Sequence, residues 1–244
     1  MKIVVLDGYT LNPGDLSWDE IAGLGELRVY DRTPPELVAE RTEGAAIVLT
    51  NKVILDGPLL RSLPELRYIG VMATGYNVID TAEADRLGII VTNIPAYGTN
   101  SVAQLTFALI LSLCNNVMRH SDEVMKGRWS ESKDFTFRDY PLTELSGKTL
   151  GIIGFGSIGK KVCEIAMAFG MNVIATSRSR TGGPPLPGFE WAGLQELLSR
   201  SDIVTIHCPL TPENAGMIKI DNLRLMKRSS FLINTARGPL IAEK

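Results

Sequence analysis

The sequence predicts an α/β protein built from two doubly wound parallel sheets, and three observations support this fold class. Short, continuously apolar runs rich in β-branched residues recur along the chain, as expected for parallel strands covered on both faces. Segments of helical length separate many of these runs. The alternation is interrupted once, by a long uncharged segment after residue 100 and a polar, aromatic segment at residues 127–140, which predicts two domains.

Most of the predicted elements are short. The predicted strands are residues 3–6, 27–30, 46–50, 68–72, 89–92, 150–155, 173–176, 203–207 and 231–234. The predicted short helices are residues 36–41, 80–87, 157–169 and 194–199. A longer helix is predicted from about residue 100 to His120, whose ring would then interact with the C-terminal end of the helix dipole. We place the two domains at residues 1–100 and 101–244.

The charge balance excludes whole classes of partner. The 244 residues include 25 Lys and Arg and 27 Asp and Glu, which gives a net charge of −2. Nucleic acid is therefore not an expected partner, because binding to phosphates needs clustered basic side chains. Three scattered cysteines predict neither a disulfide framework nor a zinc site, and no spacing indicates another metal. These features are typical of a cytoplasmic protein.

The uncharged segment at residues 87–118 raises the question of a membrane span. Its most apolar part, residues 102–114, has 13 residues, whereas a span needs about 20. We interpret it as a helix of the core or of a subunit interface, and we expect no membrane partner. An apolar helix at a domain edge would otherwise expose a large patch, so the sequence predicts a homodimer.

A glycine-rich turn follows one predicted strand and opens the next predicted helix. The run Gly154-Phe-Gly156-Ser157-Ile158-Gly159 has the spacing G-x-G-x-x-G. The first glycine permits a tight turn, the second lets the backbone approach a pyrophosphate, and the third lets helix and strand pack closely. The amides at the start of the helix would face the anion. In this context the motif predicts a dinucleotide-binding site.

The residues about 20 positions further on bear on the choice of cofactor. An NAD-binding domain is expected to carry Asp or Glu at the end of the second strand, for the ribose 2′-hydroxyl. This chain has Ser177 and Arg178 there, with no carboxylate between residues 172 and 180. Because Arg178 and Ser177 could bind a 2′-phosphate, we favour NADP over NAD. A solvent-exposed arginine without a ligand is the alternative, and it leaves NAD open.

With these features, the chain resembles the D-isomer-specific 2-hydroxyacid dehydrogenases along its whole length. The residues that carry the resemblance are Thr-Asn-Lys52-Val, Ala-Thr-Gly75-Tyr-Asn77-Val-Ile-Asp80, the 145–159 segment with its glycine-rich turn, Ser-Asp202-Ile-Val-Thr-Ile-His207-Cys-Pro209-Leu-Thr-Pro-Glu-Asn, and Asn234-Thr-Ala-Arg237-Gly238. Residues 5–18 are most similar to the glycerate dehydrogenase (hydroxypyruvate reductase) branch.

The resemblance implies a fold and an activity. Residues 1–100 would form a flavodoxin-like substrate domain and residues 101–244 a Rossmann dinucleotide-binding domain, with the ligands in a cleft between them. The implied reaction is hydride transfer between a nicotinamide cofactor and a small D-2-hydroxy or 2-keto acid, glycerate/hydroxypyruvate first. Phosphoglycerate, lactate and glyoxylate remain open as substrates. A dinucleotide-sensing, corepressor-like binding protein is the alternative from another functional class.

The resemblance also assigns residues to the substrate. Arg237 would be the catalytic cation, binding the substrate carboxylate with its planar guanidinium. The backbone amides around Ala73, Thr74 and Gly75 would hold the same carboxylate. Lys52 could line the site, and a solvated role is the alternative for it.

Further residues are expected at the cofactor. In the family, the residue matching His207 touches the ribose on the nicotinamide side and is not the proton donor. Pro209, Thr235 and Ala236 belong to the same two strand-end motifs, and we expect them at the cofactor as well.

The family's catalytic glutamate and histidine have no counterparts in this sequence. In the family both lie tens of residues beyond the arginine, and the glutamate raises the basicity of the imidazole that donates the proton. Here the sequence stops at Lys244, seven residues after Arg237. We therefore expect the Rossmann domain to be truncated at its C-terminal end and the 244-residue form to lack this pair.

Overall fold

The computed structural model describes residues 1–184 and 187–243. The chain divides into two compact units, Met1–Tyr97 and Gly98–Lys244, which we call unit 1 and unit 2. Each unit contains a five-stranded sheet in which all pairings between strands are parallel. The predicted fold class, α/β with two doubly wound parallel sheets, is confirmed.

The sheet of unit 1 has the strand order β2-β1-β3-β4-β5, which is the flavodoxin-like order. Its strands are β1 Lys2–Val5, β2 Glu26–Val29, β3 Ile47–Thr50, β4 Tyr68–Val71 and β5 Ile90–Asn93. Its helices are α1 Asp19–Ala22, α2 Val38–Thr42, α3 Gly57–Arg61 and α4 Thr81–Arg86. The carboxylates of Asp56 and Asp80 accept hydrogen bonds from the first turns of α3 and α4, which explains where these helices begin.

The sheet of unit 2 has the order β10-β9-β6-β7-β8, in which the chain winds outward from β6 in both directions. Its strands are β6 Thr149–Ile153, β7 Asn172–Thr176, β8 Phe189–Trp191, β9 Ile203–Ile206 and β10 Phe231–Asn234. Its helices are α5 Thr99–Asn115, α6 Val117–Met125, α7 Ser157–Ala168, α8 Leu194–Arg200 and α9 Ile220–Leu225. This is the Rossmann order, with the topological switch point between β6 and β9.

The edge strand β8 was not predicted from the sequence. It has only three residues, and the charged Glu190 at its centre interrupts any apolar run. Its two aromatic rings nevertheless pack against Phe155, with ring centroids 5.2 Å away for Phe189 and 5.1 Å for Trp191. The packing of these aromatic rings accompanies the pairing of β8 with β7. Because this packing depends on the distant Phe155, three residues of local sequence do not reveal the strand.

The prediction of one helix from residue 100 to His120 is wrong, because the chain breaks at Asn116. Asn116 has φ of +50°, the left-handed conformation that asparagine tolerates better than most residues, and it ends α5 and begins α6. His120 therefore lies near the start of α6 and is not at a helix C-terminus. Its Nδ1 is 3.0 Å from the carbonyl oxygen of Asn116.

The apolar helix α5 belongs in part to the core of unit 2. Its buried residues Ala103, Phe107, Ile110 and Cys114 pack in the same cluster as the inner face of α7. Among the described residues no single helix is long and apolar enough to cross a membrane. The helices α5 and α6 reach that length when taken together, but the pair is bent by 58°.

Candidate active site

Four neighbouring strands of unit 2 end in the segments that the sequence analysis singled out. The order β10-β9-β6-β7 places four turns side by side at the carboxyl edge of one sheet. In that order they carry Arg237, His207, the glycine-rich turn and Arg178. The switch point, where open α/β sheets bind their ligands, falls between the second and third of these turns.

Two of the three glycines in the turn are required by the protein itself. Gly154 has φ of +95°, and a Cβ atom there would lie 2.5 Å from the backbone nitrogen of Cys208. A Cβ atom on Gly159 would overlap the carbonyl oxygen of Gly154, so this glycine permits the close packing of α7 on β6. A Cβ atom on Gly156, in contrast, would have no described heavy atom within 4 Å. The absence of a side chain at Gly156 leaves open space in front of the turn.

The first turn of α7 offers backbone donors at that space. The backbone nitrogen of Lys160 is the first to donate within the helix, to the carbonyl oxygen of Gly156 at 2.9 Å. The amides of Ser157, Ile158 and Gly159 precede it and have no acceptor in the helix by α-helical geometry. Gly156 is the N-cap residue and provides no side-chain acceptor. Three donors and the positive end of a 12-residue helix dipole therefore fit a pyrophosphate.

The segment after β7 is basic. Ser177 is half-buried and Arg178 is exposed. The positive charge of Arg178 reaches Glu213, whose pKa is lowered chiefly by hydrogen bonds from the Thr211 side chain and its own backbone and in part by this arginine. Lys160, which sequence reasoning missed, lies beside the same segment, because a Cβ atom on Gly182 would be 2.5 Å from its Nζ.

His207 is buried and lacks partners for its ring. The residue is 9% exposed, and neither Nδ1 nor Nε2 has a hydrogen-bond partner in the part of the chain that the structure describes. Burial lowers the pKa of the imidazole to about 4, so the ring is neutral at physiological pH. Buried polar atoms without partners are rare in folded proteins, and a ligand hydroxyl could satisfy one of these nitrogens.

The loop after His207 is held by one side chain that the sequence analysis did not single out. The Nδ2 atom of Asn214 donates to the carbonyl oxygen of Pro209 at 2.7 Å, and its Oδ1 accepts from the backbone nitrogen of Thr211 at 2.7 Å. The exposed ring of Pro209 is presented by this loop. Asn214 therefore holds the backbone of the loop from Pro209 to Thr211.

The turn that carries Arg237 is held in a similar way. Asn234, the last residue of β10, accepts from the backbone nitrogen of Ala236 at 3.0 Å and donates to the carbonyl oxygen of Arg237 at 2.8 Å. The Arg237 guanidinium donates to the carbonyl oxygen of Ala236 at 2.8 Å. It forms no ion pair with an acidic residue within residues 1–184 and 187–243. The charge of this half-buried arginine is therefore available to an anionic ligand.

Unit 1 carries the remaining predicted residues at the carboxyl edge of its own sheet. The turn after β3 is held by the buried carboxylate of Asp7, which accepts from the backbone nitrogens of Asn51 at 2.8 Å and Lys52 at 2.6 Å and from the hydroxyl of Thr50 at 3.2 Å. The Lys52 side chain is exposed. This role of Asp7 was not predicted from the sequence, because its partners lie more than 40 residues away.

The Ala73–Gly75 turn after β4 is tied to the end of β5. The Thr74 hydroxyl donates to the carbonyl oxygen of Ile94 at 3.0 Å. The Asn93 side-chain amide donates to the carbonyl oxygen of Thr74 at 2.8 Å. A groove of about 450 Å³ runs along β5 and is lined by other residues, among them Tyr76 and Asp85. The described residues contain no group of three His, Cys, Asp or Glu side chains that could hold a metal ion.

Comparison with known proteins identifies relatives over the full length of the chain. A hydroxypyruvate reductase from Blautia hydrogenotrophica is 46% identical over 247 residues, covering 100% of this chain and 77% of the relative. A glycerate dehydrogenase from Methylorubrum extorquens is 39% identical, covering 99% and 74%. The solved structure of an acyclic imino acid reductase in complex with NADPH and D-Arg matches with a TM-score of 0.85 and 30% identity, covering 100% and 76%.

A family profile matches as well, and it covers more than half of the chain. Residues 107–244 match the profile described as D-isomer specific 2-hydroxyacid dehydrogenase, NAD binding domain. This match lies within unit 2, whose glycine-rich turn and α7 fit a dinucleotide. The resemblance seen in the sequence motifs is confirmed. The chain thus belongs to the D-isomer specific 2-hydroxyacid dehydrogenases, and unit 2 is its nicotinamide-dinucleotide-binding domain.

Proposed function

We propose that this D-2-hydroxyacid dehydrogenase interconverts hydroxypyruvate and D-glycerate and prefers NADP to NAD. One observation carries the proposal, the order of the strand ends in unit 2. Across β10, β9, β6 and β7 the residues run from Arg237 through His207 and the glycine-rich turn to Arg178. Four strands span about 14 Å at about 4.8 Å per strand. This order is also that of a substrate carboxylate, nicotinamide-side ribose, pyrophosphate and adenosine ribose.

Each residue then has a role that its chemistry supports. The amides of Ser157, Ile158 and Gly159 bind the pyrophosphate, with Gly154 and Gly156 shaping the turn. His207, neutral and without ring partners, hydrogen-bonds the ribose on the nicotinamide side. Pro209, Thr235 and Ala236 line the same end of the cofactor. The bound nicotinamide supplies the hydride for reduction of the keto acid and accepts it in the reverse direction.

The substrate assignment rests on Arg237 and on the names of the relatives. Arg237 binds the carboxylate of the 2-keto acid through two parallel hydrogen bonds, which a lysine cannot reproduce. In unit 1 we assign the amides of Ala73, Thr74 and Gly75 to the substrate carboxylate, and Lys52 to a supporting positive charge. Hydroxypyruvate and glycerate are the compounds named in two relatives, which are 46% and 39% identical to this chain.

The positive charge at the end of β7 supports the NADP preference. A carboxylate there would repel a 2′-phosphate, whereas Arg178 with Ser177 offers a charge-assisted site and Lys160 adds a second cation. We expect Arg178→Ala to weaken NADPH binding about tenfold or more and NADH binding less than twofold. Arg228→Ala is the matched control, because Arg228 is an exposed arginine before the opposite, amino end of β10.

The experiment is a fluorescence titration of both dinucleotides with these variants, followed by assays with four keto acids. Equal losses for NADPH and NADH in Arg178→Ala would refute the 2′-phosphate site. Hydroxypyruvate should have the highest kcat/KM among hydroxypyruvate, glyoxylate, pyruvate and phosphohydroxypyruvate. Tight NADPH binding without turnover of any of them would contradict the proposed activity, and either a dinucleotide-sensing protein or an enzyme form without its proton donor would explain it.

We also propose a homodimer formed through α5. Leu105, Leu109 and Leu113 recur at the i, i+4 spacing of one helix face and are 53%, 40% and 46% exposed. A contiguous apolar stripe of this kind is typical of an interface. Leu109→Glu should give a monomer in light scattering at micromolar concentration, whereas Leu24→Glu, at an isolated exposed leucine, should not. A monomeric unmodified protein would refute the dimer.

A further inference from the structure

The turn that carries Arg237 has a second support, which reaches it from α5. Thr106 is fully buried, and its hydroxyl donates to the carbonyl oxygen of Val102, one turn back, at 2.8 Å. The hydroxyl oxygen of Thr106 is also 3.1 Å from the hydroxyl oxygen of Thr235. Because a hydroxyl has one proton, a Thr106 that donates to Val102 must accept from Thr235. The side chain of Thr235 is thereby fixed by a residue 129 positions away in the sequence.

The conformation of Arg237 depends on the residues that this contact restrains. Asn234 closes the three-residue turn with both atoms of its amide, at Ala236 and at Arg237 itself. The guanidinium donates back to the carbonyl oxygen of Ala236. Thr235 lies between the two ends of this arrangement, so any displacement of its backbone changes the direction of the arginine.

We propose that Thr106 is a positioning residue for Arg237, acting through the hydroxyl of Thr235. The inference rests on the proposed role of Arg237 in binding the substrate carboxylate. Two parallel hydrogen bonds between guanidinium and carboxylate need a specific orientation. Losing the buried contact should therefore weaken carboxylate binding by the equivalent of about one hydrogen bond, which is about 3- to 10-fold.

The chain offers a matched control for the loss of a buried hydroxyl. Thr42 in α2 is also fully buried, and its hydroxyl also donates to the carbonyl oxygen four residues earlier, at 2.7 Å from that of Val38. Its described partners all lie within α2. Thr106→Val and Thr42→Val therefore each remove a buried hydroxyl that donates to the carbonyl oxygen four residues earlier. Only Thr106→Val also removes a contact to the Arg237 turn. Thr106→Ser keeps the hydroxyl and serves as the conservative variant.

The test measures binding, so it does not depend on turnover. The full chain is saturated with NADPH and titrated calorimetrically with oxamate, an unreactive carboxylate with the shape of a 2-keto acid. Thr106→Val should raise the Kd for oxamate about 3- to 10-fold while changing the Kd for NADPH less than twofold. Thr42→Val and Thr106→Ser should leave both constants within about twofold of the unmodified protein.

A double-mutant cycle with Thr235→Val separates positioning from general loosening of the fold. If Thr106 acts through Thr235, the double variant should bind oxamate no more weakly than Thr235→Val alone. Additive losses, or an oxamate Kd for Thr106→Val equal to that for Thr42→Val, would overturn the inference alone. An unmodified protein that binds NADPH but not oxamate would contradict the proposed function as well as the inference that rests on it.

Discussion

Mild acid should destabilise unit 2 through His207. The imidazole is buried, its nitrogens have no partners among the described residues, and its pKa in the folded protein is about 4 instead of 6.5. Between these values the unfolded chain binds a proton that the folded protein does not. The free energy of unfolding therefore falls as the pH is lowered from 6.5 to 4, and this contribution is fully present only above pH 6.5.

The magnitude follows from the width of that interval. At about 1.4 kcal/mol per pH unit, the loss integrated from pH 6.5 down to pH 4 is about 3 kcal/mol. Between about pH 7.5 and pH 5 the loss is about 2 kcal/mol, and most carboxylates are still ionised at pH 5. This is a large fraction of the free energy of unfolding of an ordinary domain.

The assay needs a reporter confined to unit 2. The sequence has three tryptophans, and the replacements Trp18→Phe and Trp129→Phe leave only Trp191, which packs on Phe155. Urea unfolding followed by its fluorescence at the two pH values gives the free energy of unfolding around the nucleotide-binding sheet.

The control is His207→Gln in the same background, because glutamine cannot titrate in this range. The free energy of unfolding of the protein that keeps His207 and carries the two tryptophan replacements should fall by about 2 kcal/mol more than that of this variant between the two pH values. Equal losses in both would refute the reasoning, because other groups would then account for the whole acid effect.

Three further predictions separate local roles. Gly156→Ala should reduce NADPH affinity about tenfold or more with a nearly unchanged unfolding midpoint, whereas Gly159→Ala should lower the midpoint, since only the latter Cβ atom overlaps the protein; a stability loss in both would contradict this. Asp7→Asn should destabilise unit 1 by about 1–3 kcal/mol in urea unfolding by replacing an acceptor of two backbone amides, and the exposed control Asp15→Asn should not. Asn214→Ala should raise the KM for NADPH about 3- to 10-fold because two loop hydrogen bonds are lost, and an unchanged KM would count against its role.

Strands and their order could be predicted to different degrees from the sequence. The strand from Phe231 to Asn234 was predicted with its observed bounds, because a short run of apolar, β-branched residues has a local signature. The strand at Phe189 has no such signature, since its stability comes from ring packing with Phe155. The break at Asn116 was also missed, because the uncharged run continues past it to Met118, although two adjacent asparagines mark the position.

The local sequence was sufficient for the features that depend on neighbouring residues. Glycine spacing, the missing carboxylate near Ser177 and the motif around Arg237 are visible without coordinates. They depend on backbone conformation and side-chain chemistry over a few residues, which is the range that local sequence controls.

The supports of the site required the folded chain. Asp7 holds a turn 44 residues away, and Thr106 contacts Thr235 across 129 residues. The burial of His207, which sets its pKa, likewise arises from the packing of distant segments around β9. These contacts follow from the order in which parallel strands pair, and no local pattern encodes that order. Short sequence motifs therefore identify the chemical groups of the site. The orientation of these groups depends on hydrogen bonds between residues that only sheet formation brings together.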